Sequence, residues 1–277
     1  MSKTLADYIS RYQRLFVLAG AGLSTASGIP DYRDERGEWK HSKPMDYRDF
    51  VARHQARQRY WARSCIGWPR FQRARPNAAH SALARLETLG RVVVTVTQNV
   101  DGLEQRAGCR EVIQLHGSLD GVGCLDCQAG ISREAMQHRL LAANPELALA
   151  SAAVLPDGDA ELAFDTGAVR VPECRACGGI LKPQVVFFGE AVPAARVAAC
   201  YRALDEADAV LVLGSSLMVY SGFRFVREAA RAGLPIAAIN RGKTRADDLL
   251  DLKLTQDCAV ALNTALDDAG FADAEIA

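Results

Sequence analysis

The chain has 277 residues, 49% of them hydrophobic, with 33 Lys plus Arg against 33 Asp plus Glu. That length can bury a sizeable core in one large domain or two ordinary ones, and the balanced charge excludes a global field for nucleic acid or anionic lipid. Residues 1–15 scatter Lys, Asp and Arg among their apolar residues, so they hold no signal-peptide core; with no apolar run near the ~18 residues of a membrane span, a soluble, intracellular protein is expected.

The first predicted strand, 15–18, runs into Ala19-Gly20-Ala21-Gly22-Leu23-Ser24-Thr25-Ala26-Ser27-Gly28-Ile29-Pro30-Asp31-Tyr32-Arg33. Two glycines one residue apart after a buried strand let the backbone turn tightly and bring main-chain N–H groups close to a pyrophosphate. The same pair also makes an ordinary tight turn. The wide spacing from Gly22 to Gly28 and the rigid Ile29-Pro30-Asp31 depart from G-x-G-x-x-G and disfavour a common dehydrogenase.

Residues 46–75 read as helical, aromatic and basic, with Tyr60 and Arg63 on one face of a helix over 46–64. A helix over 78–89 and a strand over 92–96 follow. The strand ends in Thr97-Gln98-Asn99-Val100-Asp101, at the carboxyl end where open sheets bind ligands, though Asn and Asp also serve ordinary turns. The strand 112–115 ends in His116-Gly117, an imidazole that either faces a cleft as a proton acceptor or serves structure.

Cys124-Leu125-Asp126-Cys127 and Cys174-Arg175-Ala176-Cys177 are two knuckles that together supply the four tetrahedral thiolates Zn²⁺ prefers, with no open position, which predicts a structural ion. A redox pair is disfavoured because neither opens a helix after a strand. Cys65, Cys109, Cys200 and Cys258 read as small buried hydrophobes. Further strands are predicted at 185–188, 209–213 and 236–239, and helices at 194–207, 222–232 and 257–266. Gly214-Ser215-Ser216 and Asn240-Arg241 cap two of the strands with groups suited to ribose or adenine edges.

Short apolar strands alternating with helices predict an α/β fold, a doubly wound parallel, Rossmann-like sheet with a second, smaller domain. Residues 1–45, 78–120 and 183–277 are assigned to the nucleotide-binding domain. Residues 46–77 form a helical insertion and 121–182 a zinc module, which together make the small domain, with the active cleft expected between the two.

Taken together, the Gly-Ala-Gly and Gly-Ile-Pro-Asp-Tyr-Arg loop, Thr-Gln-Asn-Val-Asp-Gly-Leu, Leu-His-Gly, the two CxxC knuckles, Lys182-Pro183 with Val-Val-Phe-Phe-Gly-Glu, and Gly-Ser-Ser-Leu resemble the sirtuin family of NAD-dependent protein-lysine deacylases over nearly the whole chain. Arg59-Tyr60-Trp61-Ala62-Arg63, Gly67-Trp68-Pro69, Pro156-Asp157-Gly158-Asp159 and Val219-Tyr220-Ser221-Gly222 resemble its mitochondrial sirtuin-four (class II) subgroup. With no presequence and an Arg/Ala-rich composition, the chain suits a bacterial, cytoplasmic relative.

The resemblance implies NAD and one structural Zn²⁺ as cofactors, and acylated-lysine proteins as partners, with neither nucleic acid nor membrane; a monomer is compatible. In the family reaction the acyl oxygen attacks the nicotinamide ribose, and an alkylimidate collapses to free lysine and O-acyl-ADP-ribose. Asp101 would hold the nicotinamide carboxamide, Asn99 and Gln98 would orient ribose and water, and His116 would be the general base. Gly20, Ala21, Gly22, Ser24, Gly28, Ile29, Pro30, Asp31, Tyr32 and Arg33 would line the NAD loop, and Gly214, Ser215, Ser216, Asn240, Arg241 and Cys258 would contact the adenosine end. Val186, Phe187, Phe188 and Gly189 match the acyl-lysine channel, where the peptide adds as a strand. Tyr60 and Arg63 resemble a pair by which the sirtuin-five subgroup reads acidic acyl groups. Tyr32 replaces a more common Phe, and Glu104 stands where many relatives carry His; neither falls on a residue with an implied catalytic role. Transfer of ADP-ribose to a protein is the alternative activity, and a non-enzymatic zinc-ribbon binding module the third.

Overall fold

The computed structural model describes residues 4–40, 44–148 and 165–271, so the 156–159 motif lies outside the described residues. A six-stranded parallel sheet organises the first of two units, which comprises Met1–Lys40, Arg75–Leu115 and Val192–Ala277. Its strands are β1 (Leu15–Ala19), β2 (Val92–Thr97), β3 (Val112–Gln114), β7 (Ala209–Leu213), β8 (Ile236–Ile239) and β9 (Leu252–Leu254), in the order β3-β2-β1-β7-β8-β9. That is the order of the Rossmann sheet, with its reversal at β1 and β7.

The sequence dictates this arrangement through strands buried on both faces. Every residue of β1, β7 and β8 is buried. Side chains alternate along β1: Leu15, Val17 and Ala19 pack with α1 (Leu5–Arg11), α4 (Ala78–Thr88) and α9 (Cys258–Asp268). Phe16 and Leu18 pack on the other face with α7 (Ala194–Asp205) and α8 (Tyr220–Arg231). Fully burying one such side chain contributes roughly 1.5–3 kcal/mol. A short helix, α5 (Leu103–Arg106), follows β2.

The second unit comprises His41–Ala74 and His116–Ala191. It holds the helices α2 (Tyr47–Ala52), α3 (His54–Arg73) and α6 (Arg133–Ala143) and an antiparallel sheet β5-β4-β6 made of β4 (Gly117–Cys124), β5 (Gly130–Ser132) and β6 (Leu181–Val185). The single helix expected from residue 46 is two, because Arg53 is extended (φ −119°, ψ 120°). Pro69 lies inside α3. Proline has no N–H to return to the carbonyl four residues earlier, and the Cys65 carbonyl instead accepts from Gln137 Nε2 at 2.7 Å.

Residues 185–188 do not join the parallel sheet. Val185 ends β6, which pairs antiparallel with β4; a short buried apolar run has the same pattern in either kind of sheet. Because β6 pairs back onto β4, the second unit extends to residues 116 and 191 beyond the 121–182 module, and it includes His116 and the 186–190 loop. No helix among the described residues is long and apolar enough to cross a membrane.

Candidate functional site

In the first unit the loops after β1 and β7 approach backbone to backbone. A Cβ on Gly20 would lie 2.7 Å from the Ser215 Cβ, and one on Gly22 would lie 2.9 Å from the Gly214 Cα and carbonyl oxygen. Gly214 has φ +60°, and any side chain there would meet the Gly22–Leu23 backbone. Gly20 N donates to Leu213 O at 2.9 Å and Gly22 N to Gly214 O at 2.8 Å. These loops sit at the carboxyl ends of adjacent strands, at the reversal of strand order where open α/β sheets take ligands.

The polar end of β2 is drawn onto them. Ser215 Oγ donates to Gln98 Oε1 at 2.6 Å, and Asn99 Nδ2 donates to Gly20 O at 3.1 Å and Ser24 Oγ at 3.3 Å. Ser24 Oγ in turn donates to Asp101 Oδ2 at 2.8 Å, while Leu103 N donates to Asp101 Oδ1 at 2.9 Å. Burial raises the Asp101 pKa. The structure thus joins four residues expected from sequence, Ser24, Gln98, Asn99 and Asp101, to the glycine loop.

Three partners of this cluster were not expected. Asn77 caps α4, and in the capping box His80 Nδ1 accepts from Asn77 N at 3.2 Å. In the neutral ring the proton is then on Nε2, which lies 3.5 Å from Ser24 Oγ. Burial, with Arg106 nearby, pushes the His80 pKa down to about 4, so the ring is neutral. Glu104 is fully buried; Thr97 Oγ1 donates to its Oε1 at 2.6 Å and itself accepts from Asn99 N at 3.1 Å. The signal available for His80 was Asn-x-x-His ahead of an apolar helix, a capping-box spacing. Glu104 was marked only as a departure from the His of many relatives, because a lone charged residue carries no sign of its burial.

Ile29 is buried, and the rest of the loop folds on itself. Arg33 and Trp39 form a β-bridge, with the Arg33 guanidinium 4.0 Å from the Trp39 ring and Nη1 donating to Gly37 O at 2.7 Å. Tyr32 meets Trp39 edge-on at 6.2 Å, and Lys40 pairs with Asp31 at 2.6 Å. After β8, Asn240 Nδ2 donates to Gly242 O at 2.9 Å, and Arg241 pairs with Asp257 at 2.9 Å. Burial pushes the Cys258 thiol up to about 12, making it a small buried group rather than a nucleophile.

In the second unit, the half-buried His116 is tied to the candidate channel through its backbone: Val186 N donates to His116 O at 2.7 Å. Gly117, at φ +81°, leaves no room for a Cβ against the Gln184 carbonyl. The 186–190 loop is held from two sides. Tyr47 N donates to Phe188 O at 2.8 Å, and the buried Lys182 ammonium pairs with Glu190 at 3.0 Å, whose Oε2 also accepts from Phe187 N at 2.8 Å. Burial lowers the Lys182 pKa against the opposing pull of Glu190. The Phe187 ring packs edge-on against Phe50 and Tyr60, each at 5.2 Å, and Tyr60 is only 2% exposed.

Cys124, Cys127, Cys174 and Cys177 bring their sulfurs within 4.8 Å of one another. The 124–177 and 127–174 separations are 3.5 and 3.6 Å, against about 3.8 Å across a tetrahedral zinc with ~2.3 Å bonds. The knuckles match: Gln128 N donates to Cys124 O and Gly178 N to Cys174 O, with both donors in the left-handed region. Backbone N–H groups of Ala176 and Cys177 lower the Cys174 thiol, while the neighbouring sulfurs raise that of Cys177, so the four thiols share their protons when no ion neutralises them. Four such ligands fit one structural zinc and leave no position for chemistry.

The Sir2 family model matches residues 20–221. An NAD-dependent protein deacetylase of Bordetella bronchiseptica is 58% identical over 257 residues, which cover 92% of this chain and 94% of that protein. One of Xanthomonas axonopodis pv. citri is 59% identical over 262 residues, covering 94% and 89%. Among solved structures, a Sir2 complex with a p53 peptide and NAD+ is similar with a TM-score of 0.78 and 30% identity, over 98% of this chain and 99% of that one.

Proposed function

The chain belongs to the Sir2 (sirtuin) family, and we propose that it is an NAD-dependent protein-lysine deacylase of the sirtuin-four-like, class II subgroup, acting in the cytoplasm on acylated-lysine proteins. The observation that carries the activity is the cluster in which Ser24 and Ser215 bind Asp101 and Gln98 at a glycine loop too close for any Cβ. NAD supplies the leaving nicotinamide and the ribose that accepts the acyl group. Residues 20–22, Ser24 and 28–33 would hold its phosphates and lid, and Gly214, Ser215, Ser216, Asn240, Arg241 and Cys258 its adenosine.

Asp101 would accept from the nicotinamide carboxamide, Asn99 and Gln98 would orient ribose and water, and His116 would take a ribose hydroxyl proton. Residues 186–189 offer backbone to an acyl-lysine peptide as an added strand. Support for a preference for acidic acyl groups is the Tyr60 ring on Phe187, with Arg63 one turn further along α3. A guanidinium there would pair with a carboxylate at the end of an acyl chain.

Incubation with NAD and acyl-lysine peptides tests the reading. Nicotinamide release is expected to match the loss of acyl mass, and His116→Tyr is expected to lower the rate by ~10²–10⁴. A gain of ADP-ribose mass on the acceptor would instead establish transfer. No nicotinamide release would leave only a binding module.

A further inference from the structure

We infer that Glu104 is a positioning residue for the nicotinamide end of the site: through Thr97 it fixes the Asn99 backbone, and as the buried neighbour of Asp101 it keeps that carboxylate the anionic member of the pair. The inference rests on the roles proposed above for Asn99 and Asp101. Its ground is local geometry. Gly102 in the left-handed region (φ 66°) turns the chain after Asp101 into α5, and this brings residue 104 back under Thr97. The Thr97 hydroxyl then bridges two groups, donating to Glu104 Oε1 at 2.6 Å and accepting from Asn99 N at 3.1 Å.

The hydrogen bonds divide unequally between the two carboxyls. Asp101 receives one on each oxygen, from Ser24 and Leu103, and Arg106 lies close enough to favour its charge. Glu104 receives one from Thr97, and its fully buried Oε2 has no hydrogen-bond partner. An anion is costly where an oxygen is desolvated and unbonded. With a single negative charge on the pair, Asp101 therefore holds it and Glu104 keeps the proton. Burial and the Asp101 charge accordingly lift Glu104 to about 7. Among the described groups that face the pair, the His80 ring is neutral, the Cys109 thiol is pushed up to about 12, and Glu87 accepts from Arg110 N at 2.6 Å. Arg106 donates to the Asp101 carbonyl at 3.1 Å. Loss of the Glu104 proton to solvent sets two buried anions side by side, and their repulsion displaces the Asp101 carboxylate and strains the Thr97 bridge that fixes Asn99.

The experiment is exchange of labelled nicotinamide into NAD by the full chain, with an acyl peptide present, from pH 5.5 to 8.5. Wild type is expected to lose exchange as pH rises through about 7, whereas Glu104→Gln, which still accepts from Thr97 but cannot ionise, is expected to stay flat there and match wild type within about twofold at low pH. Glu104→Leu and Thr97→Val should each lower kcat about tenfold with KM for NAD little changed, and the double variant should fall no further. Thermal melts separate these effects from misfolding, and the Gln variant carries the test if Leu does not fold. An identical pH profile for wild type and Glu104→Gln would overturn the inference alone. Absence of exchange in wild type would overturn it together with the NAD reading.

Discussion

In the first unit β1, β7 and β8 are buried along their whole length and the largest group of buried polar side chains gathers at the strand ends, whereas the second unit holds its loops with polar side chains that reach for backbone. Gln58 Nε2 donates to the Gly167 and Val169 carbonyls, Asn144 pairs with the backbone of Arg170, and Arg133, 1% exposed, donates to Ser64. The Arg133 guanidinium also lies 4.8 Å from the Trp68 ring. A smaller unit gains from such staples beside its core, and a metal is the strongest of them. The difference teaches where each unit is vulnerable: the first to a misplaced atom at its loops, the second to the loss of one ligand.

The largest effect should therefore come from the cysteines. Structural zinc sites supply ~10–16 kcal/mol in isolated fingers, so Cys174→Ala should remove the metal together with most hydrogen-exchange protection of β4, β5 and β6. The NAD affinity of the first unit should be retained. Unchanged metal content, or equal loss of protection in β1 and β7, would break the contrast.

Next in size is Gly214→Ala. It forces a side chain to φ +60° against the Gly22–Leu23 backbone, a strain of about 1–3 kcal/mol. NAD binding should weaken and the first unit should destabilise while exchange protection in the second stays as it was. Wild-type melting and NAD affinity in this variant would show that the two loops do not need their close approach.

A smaller, pH-dependent effect follows from Glu104. Its folded pKa, about 7, lies above the ordinary 4.5, so between those values the unfolded chain has released a proton that the folded one keeps, and stability falls as pH rises. His80 works in the other direction. Its pKa is lowered from 6.5 to about 4, so stability is lost as pH falls through that window. Replacing Glu104 by Gln should remove the first slope, a gain on the order of 1–3 kcal/mol by pH 7 relative to pH 4.5, measured by denaturant unfolding. Parallel curves for the two proteins would place the Glu104 carboxyl in water-like surroundings.

What could be read in advance follows the same division. Continuous apolar runs announced β1, β7 and β8, and paired cysteines announced the metal cluster, because each signal is local. The strand β4 was hidden: its buried residues, Gly117, Leu119, Val122 and Cys124, break period-two spacing across a register shift between Gly117 and Val122. A glycine-rich stretch with that pattern reads as a loop. His80 and Glu104 were hidden for another reason. Their roles depend on burial beside residues brought from other segments, and a lone charge carries no mark of its eventual solvent exposure.

The smallest expected effect concerns acyl choice in the second unit. Tyr60 is packed between Phe50, Trp61 and Phe187, so its ring is fixed by the same aromatic cluster that positions the candidate channel. Arg63, three residues on and half-buried, shares that helical face. If the guanidinium reads a terminal carboxylate, glutaryl- and methylglutaryl-lysine peptides should be deacylated faster than acetyl-lysine. Arg63→Met should then narrow or reverse the preference through KM for the acidic peptides, leaving acetyl turnover nearly unchanged. A charge-assisted pair is worth about 1.5–3 kcal/mol, which corresponds to a change in the preference ratio of roughly tenfold to a hundredfold. Equal ratios in wild type and variant would show that Arg63 does not read the acyl group and make acetyl-lysine the default substrate.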